Sequence, residues 1–325
     1  MTTIAIIGGG IAARSLLFAM AKKKISGKVL VFYSDSFAFP CSFHSTAIVA
    51  PRGVSTGLSP LGDSLFEGFT RFEEHVNNDR PAGVIVVPQY TGAVTKIDSF
   101  RKRYPQGKLA SQAGRLQLNE ECYLAEESAF LIRPRDYLNW LLCESQKSLD
   151  IQLINSFVTK IDEGNITTVD GKEFSADKII FATGTQNDLW QNLFPEKKNS
   201  KSAQGCYLEF STVSLGDSFS LTLEGDNLIY DSEKGTLLVG STTRESRLEL
   251  PPEKELLEIY QNLSRRVAVT LPDFRQAIIR TGLREKGPKR EPYLLQSGNF
   301  SMLGGYYKNG YRVSLVMAEK LLNSL

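Results

Sequence analysis

The sequence predicts an α/β protein in two parts: a lobe built on a parallel sheet, and a mainly antiparallel β lobe inserted into it. Three stretches carry that expectation. Near the N-terminus, the apolar run Thr3-Ile4-Ala5-Ile6-Ile7 leads straight into Gly8-Gly9-Gly10. Helical spacing follows from Ile11 to Ala21, closed by Lys22-Lys23-Lys24. A second apolar strand, Lys178-Ile179-Ile180-Phe181, ends in Ala182-Thr183-Gly184, small residues that let backbone approach a ligand. Residues 203–250 alternate apolar and polar side chains, the period of an antiparallel sheet with one buried face.

The first stretch is strand, tight turn, helix, with the pattern G-x-G-x-x-A. Gly8 permits the sharp turn, and Gly10 lacks the Cβ that would keep a pyrophosphate off the backbone. Ala13 is small enough for helix and strand to pack closely. The helix start at Ile11 and Ala12 offers free N–H groups and a partial positive charge to phosphate. Because the motif follows a strand and opens a helix, it reads as a dinucleotide site; the alternative is a structural glycine turn. The next strand is 28–33. An acidic residue usually ends it and binds ribose. Here Tyr33 holds that place, followed by Ser34 and Asp35.

Along the rest of the chain, residues 37–62 are rich in Ser, Pro, Gly and Thr and predict a loop crossing the cofactor. Helical spacing covers 61–78 and puts His75 on a solvated face. Strands are expected at 82–87 and 90–97, a basic surface helix and loop at 98–117, and a strand from Cys122 to Ile132. Arg133-Pro134 opens a helix through Ser145, with proline in the first turn. A strand at 151–157 leads into a small antiparallel excursion, 158–161, 166–169 and 172–174, turned by Asp170-Gly171. After the β lobe come a helix at 253–271, the stretch Ile278 to Arg284, a strand at 300–303, a turn at 304–311 and a last helix from Val313 to Leu322. The parallel-sheet domain is therefore expected at 1–80, 130–200 and 278–325. The cap is expected at 81–129 and 201–277.

Composition is that of an ordinary globular protein: 325 residues, 42% hydrophobic and 23% charged, with a net charge of +2. Nothing in that balance argues for a nucleic-acid surface. Cys41, Cys122, Cys143 and Cys206 lie far apart without a C-x-x-C, so no zinc or thiol-redox motif is present. No stretch is long and apolar enough to span a bilayer. The N-terminal apolar run lacks preceding basic residues and is broken by glycines, unlike a signal peptide. The expectation is a soluble, cytoplasmic protein without a metal.

Together, Gly8 to Ala13, Ala182 to Gly184, Gly240-Ser241-Thr242, Gly282-Leu283-Arg284 and Gly305 to Gly310 resemble, in that order, the D-amino-acid oxidase / glycine oxidase family of FAD-dependent oxidoreductases. The resemblance covers nearly the whole chain. It implies a Rossmann-like FAD-binding domain with an inserted antiparallel β substrate domain. It assigns cofactor contacts to Gly8, Gly10, Ile11, Ala12, Ala13, Tyr33, Ser34, His44, Val158, Ala182, Thr183, Gly184, Gly305, Lys308, Asn309 and Gly310. In the family the segment matching Gly282-Leu283-Arg284 supplies an arginine for the substrate carboxylate, a fork of two parallel hydrogen bonds; otherwise Arg284 pairs with Glu285 or Glu291. The turn Gly305-Tyr306-Tyr307-Lys308-Asn309-Gly310 resembles G-H-x-x-N-G, with Tyr306 in place of histidine, either lining the pocket or packing in the core. Leu228 stands where the family carries a tyrosine, and Tyr230, on the same face, is the candidate to compensate. Segment 42–47 is similar to one whose histidine is joined to flavin in sarcosine and dimethylglycine dehydrogenases. His44 is then a covalent anchor, a noncovalent neighbour of the flavin, or a plain loop histidine.

The resemblance implies oxidation of the C–N bond of a carboxylate-bearing amine, an amino acid or N-alkyl amino acid. Flavin takes the α-hydrogen as hydride, water hydrolyses the imine, and oxygen or another acceptor reoxidises the flavin. Arg284, Tyr306 and Tyr230 are the candidate catalytic residues. The alternatives are action on a larger substrate, such as modified tRNA or a protein side chain, and a non-catalytic FAD-binding protein.

Overall fold

The computed structural model describes residues 2–36, 40–51, 57–245 and 252–325. The expected loop at 37–62 lies partly outside the described residues, at 37–39 and 52–56. So does the expected sheet at 203–250 from residue 246 onward.

In chain order the elements are β1 (Thr3–Ile7), α1 (Ile11–Lys22), β2 (Lys28–Tyr33), β3 (Ile48–Val49), α2 (Pro60–Asp79), β4 (Val84–Ala93), α3 (Ile97–Arg103), β5 (Lys108–Ala113), β6 (Leu116–Ile132) and α4 (Pro134–Gln146). Then come β7 (Asp150–Asn155), β8 (Val158–Asp162), β9 (Asn165–Thr168), β10 (Glu173–Ser175) and β11 (Lys178–Phe181), a 3-10 segment (Gly184–Leu193), and β12 (Lys201–Phe210). The chain closes with β13 (Phe219–Leu223), β14 (Asp226–Asp231), β15 (Thr236–Gly240), β16 (Arg244–Glu245), α5 (Glu253–Arg266), β17 (Ile278–Lys286), β18 (Tyr293–Ser297), β19 (Phe300–Gly304) and α6 (Gly310–Ser324).

The first sheet runs β18-β19-β11-β1-β2-β7. Its strands are parallel except for β18, which pairs antiparallel with β19 at one edge. Alternation along β1 and β2 covers both faces. Ile4, Ile6, Val29 and Val31 pack with Leu16, Leu17 and Met20 of α1 and Met317 and Leu321 of α6. Ala5, Ile7, Leu30 and Phe32 pack on the other side with Ile166 and Phe174. Those two residues come from a small antiparallel sheet, β10-β9-β8. Side chains of this size each contribute about 1.5–3 kcal/mol by leaving water.

The second sheet runs β16-β12-β15-β14-β13-β4-β6-β3, with β17 added to β12 and β5 to β6. Its core includes Leu208, Phe210, Leu221, Leu228 and Tyr230, covered by Leu256 and Leu263 of α5. β17 runs antiparallel to β12 from Ile278↔Glu209 to Lys286↔Lys201. The expected lobe boundary at 278 thus falls at the start of a strand of the large sheet. Residues 130–132 also pair in that sheet.

Several elements differ from expectation. The two strands read around Pro88 are one, β4. Pro88 lacks a donor, but pairing with β13 begins only at Gln89, so the strand passes it without losing a ladder bond there. β5 and β18 were not anticipated. β5 is largely polar and is held by its ladder to β6, while β18 is a short, largely apolar run that pairs with β19. The helix at 253–271 stops at Arg266, because Val267 turns extended and bridges Leu118. His75 is fully buried among Phe18, Phe72, Tyr137 and Trp140, not solvated. Among the described residues, no helix is long and apolar enough to cross a membrane.

Candidate active site

A cavity of about 280 Å3 opens at the C-terminal ends of β1, β2 and β11. β1 lies between β2 and β11, so the chain leaves it in one direction and returns on the other side. Such a point is where open parallel sheets bind ligands. Gly8, at φ +125°, turns the chain away from the strand, and its N–H donates to the Phe32 carbonyl at 2.8 Å. A Cβ here would run into the Ala182 carbonyl carbon at 2.7 Å. Two crossings of the chain thus meet with no room for a side chain.

The N-terminus of α1 faces the cavity through Gly10, Ile11 and Ala12. Its first turn holds no acidic residue. The Ile11 N–H donates to Ser42 Oγ at 3.0 Å, which brings the loop after β2 across the helix end. Arg14 lines the same wall. It donates from Nε to the Gly9 carbonyl (3.1 Å) and from Nη1 to the Leu138 carbonyl (3.0 Å). Burial pulls its pKa below the usual arginine value. Beyond β2, Tyr33, Ser34 and Asp35 continue the wall, and Asp35 accepts from Asn155 Nδ2 at 3.0 Å.

At the far end the cavity is bounded by Leu283, Arg284 and Glu285 of β17, by Leu303 and Gly304, and by Tyr306, Tyr307 and Gly310. Arg284 lies across Gly205 of the neighbouring strand. A Cβ on Gly205 would overlap Cζ and both Nη atoms of the guanidinium. Arg284 Nη1 is buried without a hydrogen-bond partner among the described residues, and so is Tyr306 Oη. Burial pushes the Tyr306 phenol pKa upward. Cys41 stands beside the guanidinium; burial raises its thiol pKa and Arg284 opposes that. Glu285 does not pair with Arg284: its carboxylate accepts from Asn187 Nδ2 (3.0 Å), the Gly305 N–H (2.9 Å) and the Tyr293 hydroxyl.

The family model for the DAO group, described as FAD dependent oxidoreductase, matches residues 3–323. The chain belongs to this family. It is a FAD-dependent oxidoreductase, and FAD is its cofactor. Solved structures agree on the fold. Glycine oxidase from Bacillus cereus ATCC 14579 is 15% identical, with a TM-score of 0.76, covering 100% of this chain and 94% of its own. Dithionite-reduced L-α-glycerophosphate oxidase from Mycoplasma pneumoniae, with FAD bound, is 15% identical (TM-score 0.78; 99% and 94% covered). Iminodiacetate oxidase from Chelativorans sp. BNC1 is 16% identical (TM-score 0.73; 99% and 95% covered). No curated protein sequence matches the chain.

For this FAD-dependent oxidoreductase the residues present fit the cofactor. The glycine turn leaves backbone bare, the acid-free start of α1 suits a pyrophosphate, and two polar atoms without a hydrogen-bond partner among the described residues stand at the opposite end. Of the residues singled out in the sequence, Gly8, Gly10, Ile11, Ala12, Tyr33, Ser34, Val158, Ala182, Thr183, Gly184, Gly310, Arg284 and Tyr306 line this one cavity.

Others do not. Ala13 is fully buried beneath the motif, where its smallness serves packing. Gly305, Lys308 and Asn309 shape the turn without lining the cavity. Gly305 takes φ +73°, the exposed Lys308 holds its ammonium over the Tyr307 ring at 5.6 Å, and Asn309 precedes α6 without a side-chain capping hydrogen bond. Tyr230 is a correction: it sits in the core of the large sheet, 2% exposed, donating to the Val213 carbonyl at 3.0 Å. His44 is another. Its ring lines a second cavity of about 230 Å3 with Tyr207 and Arg280, and Nδ1 donates to the Thr281 carbonyl at 2.9 Å. Ser42, Arg14, Gly205, Asn187 and Glu285 were not singled out in the sequence. Only Gly205, a glycine inside a strand pattern, carried a local signal, since such a glycine marks a close approach.

Proposed function

We propose that this oxidoreductase oxidises the C–N bond of a small carboxylate-bearing amine, an amino acid or an N-alkyl amino acid. The observation that carries the reading is Arg284 Nη1, buried in the cavity wall beside Cys41 with no nitrogen or oxygen partner among the described residues. A buried guanidinium left partly unsatisfied is costly unless a ligand completes it. A carboxylate matches its planar fork, with two parallel charge-assisted hydrogen bonds. Tyr306 Oη, also without a partner among the described residues and on the same cavity, would add a third hydrogen bond to substrate.

In this reading FAD, when bound, supplies the hydride acceptor. The chain's own residues bind and orient. The start of α1, Ser42 and Arg14 hold the pyrophosphate, and Asp35, steadied by Asn155, serves the ribose in place of the usual acid. The bare start of α6 at Gly310 presents its positive pole to the far end of the site. Arg284 fixes the carboxylate, so the α-hydrogen is held in a near-attack position. The first sheet with its helices forms the FAD-binding domain, and the large sheet forms the substrate wall. Four free cysteines suit a reducing, cytoplasmic setting, and the +2 net charge favours a small substrate over nucleic acid.

The test is anaerobic mixing of the yellow protein with glycine, sarcosine, longer N-alkyl amino acids and D-amino acids, following flavin absorbance. Bleaching by at least one of these amines is expected. Bleaching by hydroxy compounds such as glycerol phosphates, with no amine active, would replace the reading with alcohol oxidation.

A further inference from the structure

Beside Arg284, on the next residue of β17, lies a buried polar cluster that the proposed chemistry does not use. Glu285 is 5% exposed, and Asn187 is fully buried. Asn187 Nδ2 lies 3.0 Å from Glu285 Oε2, 3.1 Å from Tyr293 Oη and 3.0 Å from the Leu303 carbonyl. Its Oδ1 accepts from the Thr183 N–H (3.2 Å) and from Thr183 Oγ1 (2.7 Å). The Glu285 backbone carbonyl accepts the Tyr307 N–H at 2.9 Å. Gly304 makes room for the assembly, because a Cβ there would stand 2.5 Å from both Asn187 Nδ2 and Glu285 Oε2. One carboxylate and one amide thus join three pieces of cavity wall: the Ala182–Gly184 turn, the end of β17, and the Gly304–Tyr307 turn.

We infer that Glu285 is a positioning residue, which acts through Asn187 and Tyr293 to hold Arg284 and the two flanking turns in their binding geometry. Neighbours along a strand project to opposite faces. Fixing Glu285 on one face therefore sets the rotation of β17 and, with it, the direction of the Arg284 guanidinium over Gly205. A buried carboxylate would be an expensive way to fill space, and three donors aimed at it make the arrangement specific. Burial raises the Glu285 pKa, while the Tyr293 and Gly305 hydrogen bonds pull it down.

The inference rests on the proposed carboxylate site, and its test separates the two. Benzoate is titrated into FAD-loaded protein and the flavin spectrum followed, for wild type, Glu285→Ala, Glu285→Gln and Tyr293→Phe, with thermal melting alongside. Glu285→Ala should retain FAD and weaken benzoate by about tenfold or more, the scale of a 1 Å misplacement. Glu285→Gln, which can still accept from Gly305 and meet Tyr293 as a donor, should stay within about threefold of wild type. This rescue by an isostere is not expected of a residue needed only for its charge. Tyr293→Phe, which keeps the ring packing, should fall between and serves if Glu285→Ala does not fold. Wild-type benzoate affinity in both Glu285→Ala and Tyr293→Phe overturns the inference, as does a Gln variant no better than Ala. If wild type itself takes no carboxylate, the functional reading fails instead. The positioning role is then read on FAD: Glu285→Ala should release flavin faster than wild type, because Asn187 also holds the Thr183 turn, and an unchanged release rate overturns it.

Discussion

Gly205→Ala tests the site from the neighbouring strand without removing any polar atom. A methyl group on Gly205 would overlap Cζ, Nη1 and Nη2 of Arg284. Heavy atoms pack at about 3.5–4.0 Å, so the guanidinium must withdraw by about 1 Å. What it meets is the end of a flexible side chain, so the fold should tolerate the change. The carboxylate fork should not. Displacement of about 1 Å costs on the order of 10²-fold where geometry matters, while loss of one charge-assisted hydrogen bond costs about 1.5–3 kcal/mol. Benzoate affinity should therefore fall by about tenfold to a hundredfold, with FAD retained. Arg284→Ala should show a similar loss. The double variant should be little worse than either single one, because both act on one guanidinium. Calorimetric or spectral titration of the four proteins completes the cycle. Wild-type affinity in Gly205→Ala, or additive losses in the double variant, would refute the placement of Arg284 as the carboxylate anchor.

The remaining predictions concern the two histidines. His44 is tied to the Thr281 carbonyl and lines the second cavity, so acid precipitation should leave all yellow colour in the supernatant; colour in the pellet would show a covalent link. His75 is buried, and burial holds its pKa below 6.5 against the pull of Asp79, with Arg71 and Lys22 adding to the depression. The unfolded chain then binds the proton more readily, so stability should be full above about pH 6.5 and decline as pH falls from there toward the lowered folded value. His75→Phe should flatten the melting temperature across that window; an unchanged slope would assign the acid sensitivity to other groups.

Much of the fold was legible because it rests on local chemistry. The apolar run of β1, the glycines after it and the lysines ending α1 each favour the observed element on their own, and the parallel sheet follows from that pattern. Misread segments are those where pairing partners outweigh local composition. Lys108–Ala113 is polar and becomes a strand because β6 offers it a ladder. Pro88 reads as a break, yet it falls just outside the span where its strand is paired on both sides.

The site divides in the same way, and strand parity explains which residues were misplaced. Leu228 and Tyr230 were correctly put on one face of β14, but that face is the core under α5. Ile229 and Asp231, one residue out of step, are the ones that line the second cavity. Alternation along a strand tells which residues travel together, and not which of the two buried faces meets a ligand. Arg284, singled out by its motif, lines the first cavity, but its surroundings carried little such signal. Gly205 meets Arg284 across 79 positions of chain and Asn187 meets Glu285 across 98, and no local pattern encodes such a meeting. What can be read in advance is the exception to a local rule, a glycine within an alternating strand. Gly205 is that exception here, and the space it leaves over its strand is filled by the guanidinium of Arg284.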